Sequence, residues 1–364
     1  MRKARWLAEW ADKTGKPAIY HCISRVVDRR FVLGDEEREK FRTFMRMQEN
    51  FSGCRVLSYC VMSNHFHILL EVPVMPEGGI TDRELLKRLG AVYGEAFVAG
   101  VEAELAGARK EGDDALVAEI HARFTYRMHS LSEFMKTLLQ RFTRWFNRTH
   151  ERCGTLWEQR YKSVIVESGV AARTMAAYID LNPVRAGMVA DPAEYRWSSY
   201  GEAVGGGRKG NGKKARAGLV RAANLKLETL NPKEEEDLAG QWKEVSRTYR
   251  RVMGMALERK ALNSKVQLSR KSGAAAGTND AEYLESTPPE GSAPLSMAKM
   301  LRTRVRYFTD GAVIGSKGFV NDAFAAARDR FTERRKDGAR QLRGNAKAAA
   351  GTLWCVRDLR VGIG

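Results

Sequence analysis

The first two hundred residues switch between two hydrophobic periods. Ala18–Arg25 reads as a strand, and Glu36–Asn50 as a helix with Phe41, Phe44, Met45 and Met47 among its apolar positions. Arg55–Met62 and His65–Val72 have strand patterning on either side of Ser63-Asn64, a short turn-forming pair. Leu131–Thr149 places Leu131, Phe134, Met135, Leu138, Leu139, Phe142, Trp145 and Phe146 at the spacing of one helix face. Tyr161–Val166 reads as a short strand, and Ser168 is placed to cap a helix from Gly169 to about Leu181. The order β-α-β-β-α-β predicts an α+β chain whose residues 1–200 form a ferredoxin-like, split βαβ domain. Residues 76–128 interrupt that order with helical patterning and read as an insertion, with seven basic against ten acidic side chains.

Beyond Tyr200 the pattern loosens. The run Gly205 to Lys214 predicts a flexible basic linker within residues 201–230. Residues 231–364 read as a mainly α-helical extension: a helix from Asn231-Pro232 through Trp242, Val245, Tyr249 and Val252, then helices over Met297–Arg306 and Lys317–Arg335. A soft stretch, Gly273 to Pro294, joins them. The last two helices are arranged either as a helix–turn–helix-like DNA-binding module or as a basic tail.

Charge sharpens this division. The chain has 364 residues with 62 Lys and Arg against 44 Asp and Glu, a net charge of +18. Residues 1–200 hold a net +4 of this and residues 201–364 a net +14. That excess favours a polyanion, nucleic acid first. No apolar run approaches the roughly 20 residues that cross a bilayer. The basic start lacks an apolar signal core, so the expectation is a cytoplasmic protein with no membrane partner. Five scattered cysteines without CxxC spacing read as reduced thiols.

Two segments carry candidate chemistry. In the strand His65-Phe66-His67 the two imidazoles project from one face, where they can share a divalent metal and leave positions open for phosphate oxygens and water. Two half-exposed strand histidines are the plainer alternative. In Tyr178-Ile179-Asp180-Leu181-Asn182-Pro183 the tyrosine and Asn182 stack on one helix face, and Pro183 ends the helix with the amide free to reach outward. A tyrosine can act as a nucleophile and an amide oxygen can bind a hard metal, although a core-edge tyrosine and an ordinary helix stop have the same spacing. A near match to a phosphate-binding loop at Gly207–Lys214 lacks its Ser/Thr and its preceding strand, so no nucleotide site is expected.

Together these segments resemble a known family. Val61–Leu70, Leu156-Trp157-Glu158-Gln159-Arg160-Tyr161-Lys162-Ser163 and Tyr178–Gly187 look like the signature blocks of single-tyrosine HUH transposases, nearest to the REP-associated tyrosine transposases. Tyr20-His21 with Ser24-Arg25, and Trp197-Ser198-Ser199-Tyr200, agree with it. The resemblance covers residues 17–75 and 129–200. It implies that His65 and His67 hold Mg²⁺ or Mn²⁺, with Asn182 as a third ligand, and that Tyr178 is the nucleophile. It further implies that single-stranded or hairpin DNA is cleaved and rejoined through a 5′-phosphotyrosine. Arg160, Lys162 and Arg185 lie inside the matching blocks as candidate phosphate contacts, with solvated surface as their ordinary role. His21 lies on the first strand, where it can approach the site, although its plainer reading is a core or edge histidine; Trp145 and Trp157 are read as core residues or base-stacking platforms.

Two other functions remain open on the sequence: a DNA-binding regulator without turnover, and a water-using metal hydrolase. The insertion follows the histidine strand directly, placing it either to restrict DNA access or to serve a homodimer.

Overall fold

The computed structural model of the chain describes residues 6–8, 15–207, 210–223, 240–254, 301, 306–309, 311–331, 333–342 and 353–356. In chain order the elements used below are β1 (Ala18–Arg25), α1 (Asp35–Ser52), β2 (Arg55–Val61), β3 (His65–Val72), α2 (Asp82–Leu89), α3 (Glu95–Glu111), α4 (Asp114–Thr125), α5 (Leu131–Thr149) and β4 (Lys162–Val166). There follow α6 (Val170–Asp180), the single turn α7 (Asn182–Arg185), α8 (Ser199–Gly205), α9 (Gly210–Ala223), α10 (Trp242–Val252) and the short α11 (Arg306–Thr309). The chain continues through β5 (Val313–Gly315), α12 (Lys317–Ala326), β6 (Arg340–Gln341) and β7 (Trp354–Val356).

The α+β class holds. One seven-stranded mixed sheet runs in the order β2-β3-β1-β4-β5-β7-β6. Its first four strands are mutually antiparallel, the arrangement of two interlocked split βαβ units. The strands at Ala18–Arg25 and His65–Val72 and the helix Leu131–Thr149 have the bounds that periodicity predicts. The last is capped by Ser130, whose side chain accepts a hydrogen bond from the Glu133 amide. At α6 the cap is Gly169 instead of Ser168. Its φ of 74° lies in the left-handed region that favours glycine, so the helix begins one residue later.

Strand register decides which residues share a face. Ile23 opposes both His67 and Lys162, Arg25 opposes His65, and His21 opposes Leu69 and Val164, so all of these lie on one face. The intervening residues Tyr20, Cys22, Phe66, Ile68 and Leu70 lie on the other, which α1 and α5 cover. There Phe41 meets Phe66 at 4.6 Å and Phe142 at 5.2 Å, ring centroid to centroid. Trp157 belongs to this core: its ring packs on Phe66 and its Nε1 donates to Thr143 at 3.0 Å. Trp145 packs against the same cluster, partly buried.

One region has the helical character that its patterning predicts, and two differ from their sequence reading. The insertion is α2, α3 and α4 around a small core of their own, including Leu85, Leu89, Val101, Ile120 and Phe124. The segment read as a linker contains α9, packed along β2. Gly206, Gly212 and Gly218 there allow close contact: a Cβ on Gly218 would lie 2.5 Å from the Val56 carbonyl oxygen. Finally, Val313–Gly315, read as part of the break between two C-terminal helices, is β5, paired parallel to β4. The helix expected over Lys317–Arg335 stops at Ala326, and β6 and β7 extend the sheet beyond β5. A strand in place of the connecting turn removes the helix–turn–helix arrangement. The start of the helix expected at Asn231, the soft stretch from Gly273 to Pro294 and most of Met297–Arg306 lie outside the described residues.

Candidate active site

Helix α6 crosses β2 and β3 on the histidine face. It is small-sided there (Ala171, Ala172, Ala176 and Ala177 are all buried), which lets its backbone approach the sheet and brings Tyr178 onto the histidines. The Tyr178 ring stands edge-on to His67 at 5.9 Å and to His21 at 6.0 Å between centroids. His65 meets His67 edge-on at 5.1 Å. Tyr178 is only 1% exposed, because Phe308 stacks on its ring at 4.6 Å and 24°.

His65 and His67 therefore converge with Tyr178, as the resemblance leads one to expect. His21 joins them. Its Nε2 lies 2.9 Å from His67 Nδ1, and its Nδ1 lies 3.1 Å from the Phe308 carbonyl oxygen. Burial is the main cause that pushes His21 and His65 down to about 3 and His67 well below the usual histidine range. All three are uncharged at neutral pH. His21 is the residue that sequence reasoning undervalues. Its signal, a polar side chain two residues before the position facing His67, depends on a β1–β3 register between strands distant in sequence.

Asn182 and Arg185 occupy the same neighbourhood in a different way from the sequence reading. Pro183 does end α6, but its fixed φ opens the further turn α7. That turn folds both side chains back. Asn182 donates from Nδ2 to the Ile179 carbonyl at 3.0 Å, and its Oδ1 accepts from Arg185 at 2.6 Å. The amide is thus buried and engaged instead of reaching outward. The Arg185 guanidinium lies 4.1 Å from the centre of the Tyr178 ring and donates to the carbonyls of Tyr178 (3.0 Å) and Leu301 (3.1 Å). Desolvation holds its pKa below the usual arginine value. Arg160 and Lys162 are exposed. Lys162 lies on the histidine face in the row His67–Ile23–Lys162, and Arg25 stands opposite His65.

Among the described residues no three His, Cys, Asp or Glu side chains group as metal ligands. The donors at hand are the two strand imidazoles, neutral and sharing one face. That set fits a divalent ion completed by phosphate oxygens and water, not a closed protein cage. Among the described residues no helix is long and apolar enough to cross a membrane.

Residues 16–77 match the family model of the IS200-like transposases, which spans β1 through β3 and includes His21, His65 and His67. The sequence resemblance is borne out over this segment. No curated protein matches the chain. A solved structure of a REP-associated tyrosine transposase bound to a REP hairpin is similar, with 14% identity, a TM-score of 0.33, and coverage of 53% of this chain and 83% of that one.

Proposed function

We propose that this protein is a metal-dependent, single-strand-specific DNA transposase that cleaves and rejoins DNA, at hairpin-forming repeats, through a 5′-phosphotyrosine on Tyr178. The observation that carries the reading is the convergence of Tyr178 on His67 and His21 within about 6 Å, ring centre to ring centre. The family match supports it separately, since it ends at residue 77 and contains the histidines without the tyrosine. The reading takes the protein to act on DNA in the cytoplasm.

Tyr178 Oη attacks the scissile phosphorus, the bond to the 3′ oxygen breaks, and the tyrosine proton is balanced by the one gained on the released 3′-hydroxyl. Charge building on the tyrosine as its proton leaves faces the Arg185 guanidinium over its ring. Mg²⁺ or Mn²⁺ held by His65 and His67 would polarise the phosphate and stabilise charge on its oxygens. Asn182 becomes a third ligand only if Arg185 releases its amide oxygen. Arg25, Lys162 and Arg160 line the approach as phosphate contacts, whereas Arg185 acts on the tyrosine and its backbone. Because Tyr178 is buried, the segment bearing Phe308 has to move before a phosphate reaches it.

That burial favours a second reading, a DNA-binding regulator of repeat elements without turnover. The two separate on a denaturing gel, using labelled single-stranded hairpin oligonucleotides with Mg²⁺ or Mn²⁺. A covalent protein–DNA adduct, lost with EDTA and in Tyr178→Phe, is expected of the transposase. Metal-independent binding with neither adduct nor cleavage supports the regulator.

A further inference from the structure

The two candidate metal ligands each rest one ring nitrogen on a neighbour whose own orientation is set by a backbone carbonyl. A carbonyl oxygen can only accept, which makes the protons traceable. The Phe308 carbonyl lies 3.1 Å from His21 Nδ1, so that nitrogen carries hydrogen. A neutral imidazole has one N–H, so His21 Nε2 is an acceptor. The nitrogen facing it at 2.9 Å, His67 Nδ1, must then be the donor, and His67 Nε2 is left with its lone pair. The second path is independent of the first. Asn64 Nδ2 donates to the Arg29 carbonyl at 3.0 Å, which turns Asn64 Oδ1 toward His65 Nδ1 at 2.7 Å. His65 therefore carries its proton on Nδ1 and its lone pair on Nε2. An imidazole binds a cation only from its neutral form, so this is the form in which the two rings act as ligands.

We propose that His21 and Asn64 are positioning residues that fix His67 and His65 in the same Nδ1–H tautomer, so that both Nε2 lone pairs are presented to a divalent cation before it arrives. The proposal rests on the reading of His65 and His67 as the metal ligands. No proton has to leave and no ring has to flip when the metal binds, which is what an outer set of hydrogen bonds achieves around ligating histidines. The path to His67 begins at Phe308. The C-terminal segment thus supports the metal side of the site through its carbonyl while its ring covers the tyrosine.

The test is histidine-selective nitrogen-15 NMR of the metal-free full chain at neutral pH, followed by titration with Mg²⁺. The expected spectrum has His21, His65 and His67 all protonated on Nδ1, and Mg²⁺ then shifts Nε2 of His65 and His67. A proton on Nε2 of either ligand, or Nε2 resonances that Mg²⁺ at saturation leaves in place, overturns the proposal. His21→Leu should mix the His67 tautomers and weaken Mn²⁺ binding, read by electron paramagnetic resonance, by about 10- to 100-fold. His21→Gln, whose amide oxygen can still accept, should recover most of that loss. Wild-type Mn²⁺ affinity in folded His21→Leu overturns the role of His21. If that variant does not fold, Asn64→Ala provides the same reading at His65, and Phe308→Ala should leave the His67 tautomer unchanged because the carbonyl remains. These spectra involve no DNA. Nδ1–H tautomers with a Mg²⁺ response in a protein that forms no adduct uphold the inference and defeat the transposase reading; an adduct from a protein with His67 protonated on Nε2 does the reverse.

Discussion

The two faces of the sheet are made by the same strands and solve different problems. On the face under α1 and α5, alternate residues such as Phe66, Ile68 and Leu70 are buried by hydrocarbon and aromatic packing. On the opposite face the intervening residues include His21, His67, Ser58 and Glu71, all buried. Each of those charges or imidazoles needs a partner, because a buried polar group left unpaired costs more than its hydrogen bond returns. Some partners lie within the β-α-β-β-α-β frame, Arg55 of β2 for Glu71 at 2.9 Å and His21 for His67, and the rest come from outside it: Arg221 of α9 pairs with Glu71 at 2.6 and 2.8 Å, and Phe308 supplies its carbonyl to His21. A second layer of structure therefore completes the pairing of polar groups on this closed sheet face.

The comparison breaks most visibly at Tyr178. Tyr178→Phe keeps the packing and removes the nucleophile, so adduct formation should fall on the order of a thousandfold or more in a quenched gel assay, with the unfolding midpoint nearly unchanged. The opposite face should give the converse result. Phe142→Ala, in the aromatic core, should cost about 3–5 kcal/mol in urea unfolding while the folded fraction retains its rate of adduct formation.

A third test uses Asp180, the buried carboxylate that ends α6. Asp180 accepts from Tyr249 Oη at 2.7 Å and from the Tyr200 amide at 2.9 Å, yet burial, its largest influence, pushes its carboxyl up to about 7. Between the ordinary carboxylate pKa and about 7 the folded state binds a proton that the unfolded state has released. Asp180 therefore subtracts stability as pH rises through that window, by an amount on the order of a few kcal/mol. Asp180→Asn should remove this contribution, so its stability relative to wild type should improve as pH rises from about 4 to about 7 in thermal unfolding. The smallest effect belongs to the cover over the tyrosine. Phe308→Ala removes an aromatic stack worth about 0.5–1.5 kcal/mol and should speed adduct formation by roughly 2- to 10-fold in single-turnover kinetics.

The frame was legible because local pattern carries it. Strong alternation marks His65–Val72, and one continuous apolar stripe marks Leu131–Thr149. The resemblance named His65, His67 and Tyr178, and the fold brings those residues together. What stayed hidden depends on contacts between distant segments. Glycines at 206, 212 and 218 read as flexibility, yet they are where backbones touch: a Cβ on Gly212 would lie 2.4 Å from the Gly206 carbonyl oxygen. Strands β5, β6 and β7 have three, two and three residues, too few to show a period. His21 gains its meaning only from register with His67 and from a carbonyl almost three hundred positions away.

What distinguishes the proposed activity is a covalent bond between this tyrosine and DNA. The most direct measurement is mass spectrometry of proteolysed protein after reaction with a hairpin oligonucleotide and Mn²⁺. A peptide containing Tyr178 that carries a nucleotide joined through its 5′-phosphate is expected, matched by an oligonucleotide fragment ending in a 3′-hydroxyl. Cleaved DNA with Tyr178 unmodified and a free 5′-phosphate on the product would contradict it, and would point to water as the nucleophile.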